Sequence, residues 1–353
     1  MGDAADKTRP RLIRVTSFDV AAEAWVSQST VSRALAGDPV VSEGTRLRVT
    51  VAARKLNYFV DENAARLRTG RTGTLAVVVI CRPGEDRKDL NPFHSALLAS
   101  VCGAASLRGY ETLVSFQDGP DNFNGRYQEQ RKADGLAVIG TTENYSAWDY
   151  FRQLGQARQG GAGMDWVCWG APFDDVEWIR SDNNQGARLA TAHLLAGGYR
   201  RIVCIGSETS PQRQFRERWE GYADEIRAAG LEPVLAPIEK GLPREEQGRR
   251  AVASLIDGGT QFDALFAVCD PIALGALDEL HARGLNVPGQ IGLVGFDGIR
   301  AGAYAAPPLS SVEPDFRAAG EMMIDKLLAG IAGEPHEHRR VPVRLLVRES
   351  SAR

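Results

Sequence analysis

The chain has 353 residues, of which 43% are hydrophobic and 25% charged, with a net charge of −3. These are globular proportions, and the length suits two or three domains at roughly 100–200 residues each. No apolar run approaches the roughly 20 residues needed to span a bilayer. The polar opening MGDAADKTRPRLIR has no apolar signal core, so the expectation is a cytoplasmic protein with no membrane partner. Five cysteines, Cys81, Cys102, Cys168, Cys204 and Cys269, stand far apart. Without a CxxC pair they indicate neither a metal site nor a redox motif, and their odd number argues against a disulfide framework. The first fifth of the chain is basic and the remainder acidic, a distribution suited to a DNA-contacting head on a soluble body.

In chain order, residues 16–58 read as three short helices. Thr16 supplies an N-cap hydroxyl with Asp19 in the first turn, followed by apolar Val20, Ala21 and Ala24. Ser27 begins a second helix, with Thr30, Val31, Ala34 and Leu35 spaced for an inward face, and Gly37 and Pro39 close it. Ser42 opens a third, with Leu47, Val51, Ala52 and Leu56 placed on one face. Two helices, a tight turn and a bracing third helix describe a helix-turn-helix unit. A short basic amphipathic stretch, ENAARLRTGR, follows.

Residues 74–80, TLAVVVI, form the continuous apolar run expected of a strand buried on both faces. Helical patches are then expected near 94–108, 124–132, 184–197, 216–229, 245–257 and 271–283. They alternate with strands at 111–116, 135–140, 165–169, 202–206, 264–268 and 291–295. That alternation predicts parallel sheets in a doubly wound α/β body. About 280 residues exceed one such sheet, so two lobes with a cleft between them are expected.

The string VTSFDVAAEAWVSQSTVSRALAGDPVVSEGTRLRVTVAARKLNY, followed by NAARLRTGRTGTLAVVV, resembles the LacI/GalR family of bacterial repressors. The resemblance continues through NPFHSALLASV, SDNNQGARLATAHLLAGGYRRIVCIG, RERWEGY, DPIALGALDELHARGLNVPGQIGLVGFDG and LLVRES, covering nearly the whole chain in order. It implies a helix-turn-helix head at 1–60, a hinge helix and linker at 61–72, and a two-lobed periplasmic-binding-protein-like body at 73–353. Lobe crossings are expected near 180, 310 and 335.

The resemblance also assigns residues. Gln28, Ser29 and Arg33 occupy the family's base-reading positions; Gln pairs bidentately with adenine and Arg with guanine, each contact worth roughly 1–3 kcal/mol of discrimination. Thr16, Ser27, Thr30 and Ser32 are hydroxyl donors suited to phosphates, which fix register without reading sequence. In the hinge, Leu67 matches the leucine that wedges into the minor groove and kinks the duplex. Asn63 and Ala64 would face the groove floor and the partner helix. The alternative reading has Leu67 packing on the body.

For the cleft, Arg218 in RERWEGY matches the arginine that grips the effector, and Asp297 in GFDG ends a strand where it can accept sugar hydroxyls. Phe93 and His94 stand where the family places stacking rings, and Trp169 lies near the lobe crossover. Asp182 reads as a ligand contact or a helix cap, and Arg218 with Asp297 as ligand grip or structural ion pair. The implied partners are double-stranded operator DNA, a small-molecule effector of the sugar class and a second copy of the chain, with no cofactor and no metal.

Three departures from the family stand out. Trp25 occupies a turn position commonly held by Gly, where positive φ costs a bulky residue on the order of 1 kcal/mol. Cys269 replaces a polar residue that helps bind sugars, and the stretch between Phe116 and Asp134 is short. Two other classes fit less well. A periplasmic ligand-binding protein has no use for the basic head. An enzyme would need a phosphate loop or nucleophile elbow, and ICRPGED after the first strand is neither.

Overall fold

The computed structural model describes residues 15–59, 70–84, 86, 90–157, 165–335 and 337–352. Two units result, divided between Arg71 and Thr72. In the first, α1 (Ser17–Ala24), α2 (Gln28–Leu35) and α3 (Glu43–Lys55) each begin on a hydroxyl cap. Thr16 and Asp19 form a reciprocal capping box on α1, which satisfies two otherwise orphaned N–H groups. Val20, Ala24, Val31, Ala34, Val49 and Ala52 close the small core. The inward face of α3 differs from expectation. Leu47 and Val51 are 65% and 56% exposed, whereas Val49, Ala52 and Ala53 are buried. A single-helix hydrophobicity pattern does not say which apolar stripe the other two helices cover.

The second unit holds two parallel-rich sheets. The first comprises β1 (Thr74–Ile80), β2 (Glu111–Gln117), β3 (Gly135–Gly140), β4 (Trp166–Trp169), β5 (Trp178–Ser181) and, late in the chain, β11 (Arg339–Val341). The second comprises β6 (Ile202–Gly206), β7 (Val234–Pro237), β8 (Ala264–Ala267), β9 (Gly292–Phe296), β10 (Ser310–Pro314) and β12 (Val343–Leu346). Their orders, β11-β5-β4-β3-β1-β2 and β12-β10-β9-β8-β6-β7, repeat one winding pattern. All strand pairs described are parallel except β10 with β12. In each sheet the order reverses beside its first strand, β1 or β6, and such switch points open a crevice at the carboxyl ends of the strands.

Helices α4 (Pro92–Leu107), α5 (Tyr145–Gln156) and α10 (Phe316–Ala332) cover the first sheet. The second is covered by α6 (Asn183–Ala196), α7 (Arg213–Ala228), α8 (Arg244–Asp257) and α9 (Asp270–Ala282). Sheet membership moves the chain between lobes after Ser181, after Pro314 and between Val341 and Val343; the expected third crossing was near 335. The patch expected as a helix at 124–132 is not one. A 3-10 turn at Pro120–Asn122 is followed by loop. Buried Gln117 ties that loop down: its Nε2 donates to the Asn124 carbonyl at 2.9 Å and its Oε1 accepts from the Asn124 N–H at 2.9 Å. A side-chain amide thus satisfies the backbone in place of helical hydrogen bonds.

Candidate functional site

The head presents one polar helix face. Because α2 buries Val31 and Ala34, the 3.6-residue period turns Gln28, Ser29 and Arg33 outward, and all three are exposed. Gln28 Nε2 donates to Ser17 Oγ at 3.2 Å, a weak bond that a better acceptor can replace. The hydroxyls near them are more committed. Ser27 Oγ caps α2 by accepting from the Thr30 N–H at 3.2 Å and shares hydrogen bonds with the hydroxyls of Ser29 and Thr30. Thr16 Oγ1 donates to Asp19 Oδ2 at 2.7 Å, leaving this hydroxyl a capping role in the free protein. The backbone and hydroxyl hydrogen bonds from Thr16 hold Asp19 below the usual carboxylate range. Ser32 is half-buried. Trp25, 91% exposed, ends α1 in the left-handed region at φ 58°, so the turn keeps the conformation that usually favours glycine. Asn63, Ala64 and Leu67 lie outside the described residues.

In the body, the carboxyl ends of the strands converge on a cavity between the lobes. The residues after β1, β3, β6, β8 and β9 all reach its wall, as do the ends of β4 and β5. Phe93, His94, Trp169, Arg218, Cys269 and Asp297 line it together. Phe93 and Trp169 lie 5.9 Å apart between ring centroids and form its apolar side. Asp182 is not part of the wall: its carboxylate accepts from the Gln185 N–H at 3.3 Å and caps α6, while the next residue, Asn183, faces the cavity.

Arg218 and Asp297 are both buried and meet at 3.0 Å. Arg218 Nε also donates to Asn183 Oδ1 at 3.0 Å, Nη1 donates to the Val268 carbonyl at 2.6 Å, and the guanidinium lies 3.6 Å from the Phe296 ring centre. Structural ion pair and cavity lining therefore coincide in one arginine. Burial lifts Asp297 above the usual carboxylate range despite Arg218 beside it. Its φ of 112° is unusual for a residue with a side chain, and such strain collects at binding sites. Burial, with Arg82 nearby, lowers His94 to about 4, so the ring is neutral at physiological pH. Burial pushes the Cys269 thiol up to about 12, which makes it an inert, uncharged wall residue.

Sequence reasoning missed most of the cavity's charge. Arg180, on β5, is buried and donates to Asp174 Oδ1 at 3.0 Å and to the Ala171 and Phe173 carbonyls at 3.0 and 2.5 Å. Arg82, Arg213 and Arg244 also line the wall. Arg82 and Arg244 both pair with Glu143, and Arg213 pairs with Asp174. Arg340 Nη2 reaches Glu217 Oε1 at 3.0 Å. Burial would raise Glu217, but hydrogen bonds from Arg340 and Asn183 outweigh it and hold the group low. Arg180 stands in WIRS, a four-residue strand that the sequence did not predict, so no local signal marked it.

A capped helix-turn-helix on a two-lobed α/β body with a polar interlobe cavity defines a DNA-binding regulator of the ligand-responsive class. Residues 18–61 match the family "Bacterial regulatory proteins, lacI family", and residues 191–351 match a periplasmic binding protein-like domain. The HTH-type transcriptional regulator CelR of Thermobifida fusca is 32% identical over 349 residues, covering 96% of this chain and 98% of that protein. The ribose operon repressor of Escherichia coli (strain K12) is 29% identical, covering 95% and 98%. Among solved structures, a CelR–cellobiose complex aligns with a TM-score of 0.64 at 29% identity over 96% of this chain and all of that one. The lac repressor dimer bound to operator and the anti-inducer ONPF shares the fold, with a TM-score of 0.76 at 23% identity over 96% and 100%. The chain belongs to the lacI family of bacterial regulatory proteins and is a transcription regulator, not an enzyme. No helix among the described residues is long and apolar enough to cross a membrane.

Proposed function

We propose that this chain is a cytoplasmic repressor that binds a palindromic operator as a homodimer and is modulated by a small molecule of the sugar class held in the interlobe cavity. The observation that carries the DNA-reading half is α2, an N-capped helix that buries Val31 and Ala34 while leaving Gln28, Ser29 and Arg33 exposed. A helix so arranged can enter the major groove N-terminus first, with Gln28 suited to adenine and Arg33 to guanine. A pair of heads gives two inverted half-sites. Asn63, Ala64 and Leu67 are assigned to the central minor groove by the family pattern, which supports a flexible pyrimidine–purine step there. Two relatives' names carry the sugar reading: the ribose operon repressor and the CelR–cellobiose complex. Phe93 and Trp169 provide the flat apolar surface a sugar ring stacks on, and Arg218 and Asp297 the polar grip.

The test is selection of bound sequences from a randomised DNA pool at fixed salt, with the intact chain and with Arg33→Ala. An inverted repeat that loses its guanine preference in the variant, at a cost of roughly 1–3 kcal/mol per half-site, is the expected result. Enrichment of a single asymmetric site, or an unchanged motif in the variant, would refute the assignment.

A further inference from the structure

The cavity is richer in positive charge than a neutral sugar requires. Among the described residues, five arginines, Arg82, Arg180, Arg213, Arg218 and Arg244, line it against two carboxylates, Glu217 and Asp297. Adding the described residues whose ion pairs with these are given above brings in Arg340, Glu143 and Asp174, six guanidiniums to four carboxylates among them. Glu143 is shared between Arg82 and Arg244, and Asp174 between Arg180 and Arg213. Asp270, behind Asp297, adds little negative charge: burial and the Asp297 charge raise it well above the usual range, and it accepts from Ser311 Oγ at 2.6 Å.

Donors outnumber acceptors as well. Arg180 Nε and Arg213 Nε are buried without a hydrogen-bond partner, a costly state unless a ligand supplies the acceptor. Several acceptors of the wall are already engaged by its own donors. Asn183 Oδ1 receives Arg218, Glu217 receives Arg340 and Asn183, and Gln212 Oε1 receives Arg244 at 2.8 Å. A neutral sugar brings one proton with every hydroxyl oxygen and can donate it to Asp297 Oδ2 or Gln214 Oε1, but it offers the surplus guanidinium donors no charge. An oxyanion accepts only, and arginine forks match its geometry.

We propose that the effector is an anionic sugar derivative, carrying a carboxylate or a phosphate that the arginines of the cavity wall bind. This rests on the reading of the cavity as the effector site. The two shared carboxylates then acquire a role. Glu143 and Asp174 belong to loops of the first lobe, whereas Arg213 and Arg244 open helices of the second. Their ion pairs join the lobes across the cavity mouth. An incoming oxyanion competes with Glu143 and Asp174 for those guanidiniums and so couples ligand charge to lobe geometry.

The experiment is isothermal titration of the intact chain with glucose, glucuronate, glucose 6-phosphate and inorganic phosphate, at low and high salt, with operator affinity read in parallel. The expected result is binding of the charged sugars at least about tenfold tighter than glucose, the scale of one charge-assisted hydrogen bond, and weakened by salt. Preference for glucuronate identifies the carboxylate source; preference for glucose 6-phosphate with binding of inorganic phosphate identifies the phosphate source. Glu143→Gln removes the competing carboxylate and is expected to tighten the anion several-fold, which a merely structural Glu143 would not do. Asp174→Asn repeats the test should the first variant fail to fold. Glucose binding as well as the charged sugars, or no binding by any of the anions, overturns the proposal. A neutral sugar that binds and shifts operator affinity while anions do neither overturns it too, yet leaves the effector reading intact. Anion binding without any change at the operator keeps the anion site and sinks the effector reading instead.

Discussion

Trp25 shows what one side chain can cost. Its left-handed backbone is forced by the turn that feeds α2, and an L-residue there carries roughly 1–2 kcal/mol that glycine does not. With 91% of the residue exposed, little packing offsets this. Trp25→Gly should therefore stabilise the head, by up to about 1 kcal/mol after glycine's greater unfolded-state entropy is subtracted. Thermal unfolding checks it, and a lower melting temperature would show that the indole contributes more than its exposure suggests. His94 makes a second prediction. Its folded-state pKa, about 4, lies below the unfolded value near 6.5 because burial disfavours the charged ring. The stability linked to this group is present above pH 6.5 and is lost as pH falls toward 4. His94→Gln should flatten the acid limb of the stability curve over that window, and a curve parallel to the parent's would refute it.

At the scale of elements, α8 and α9 approach unusually closely, and glycines permit it. A Cβ on Gly275 would lie 1.8 Å from the Glu245 carbonyl oxygen, and one on Gly248 2.0 Å from that of Ile272. Backbone rather than a flexible side chain stands in the way, so Gly275→Ala must push the helices apart. We expect a loss of about 1–3 kcal/mol, as for other overpacked contacts, measured by denaturant unfolding; a neutral result would mean the pair can slide without cost. Because α8 begins at Arg244, this packing also places a cavity arginine. The elements not foreseen are the short strands β5, β7, β10, β11 and β12 and the helices α5 and α10, although the N-caps of both helices, Asn144 and Asp315, stand in the sequence. Strands of three to five residues such as β11 and β10 carry too little periodicity to be told from loop, and only pairing with a neighbour defines them.

The molecule as a whole divides into units that hold separate cores, one built on Val20, Val31 and Val49 and the others on the two sheets. Two thermal transitions are expected, the first raised by operator DNA and the second by a cavity ligand through mass action. Coincident transitions that move together would refute this independence. Within the body, Arg218 and Asp297 form a buried pair whose disruption leaves a charge uncompensated. Arg218→Met should cost about 3–5 kcal/mol in the body's transition and abolish ligand binding, with the head's transition unchanged. Loss of binding without destabilisation would make Arg218 purely a ligand grip.

The sequence by itself determined the order of domains, the caps of the three head helices and the core strands TLAVVVI, GLAVIG and IVCIG. Those features are local: a hydroxyl before a helix or an apolar run in a buried strand keeps its meaning wherever it sits. The outward face of α2 was equally legible, since periodicity settles which residues share a helical face. Only the tertiary structure decided which stripe of α3 is covered, that 124–132 is tied down as loop by Gln117, and that Asp182 caps a helix while Asn183 faces the cavity. It alone gathered Arg82, Arg180, Arg213 and Arg244 beside Arg218, because residues more than 150 positions apart become neighbours only when two sheets align their carboxyl ends. Charge at a binding site is a sum over distant chain segments, and no local pattern contains that sum.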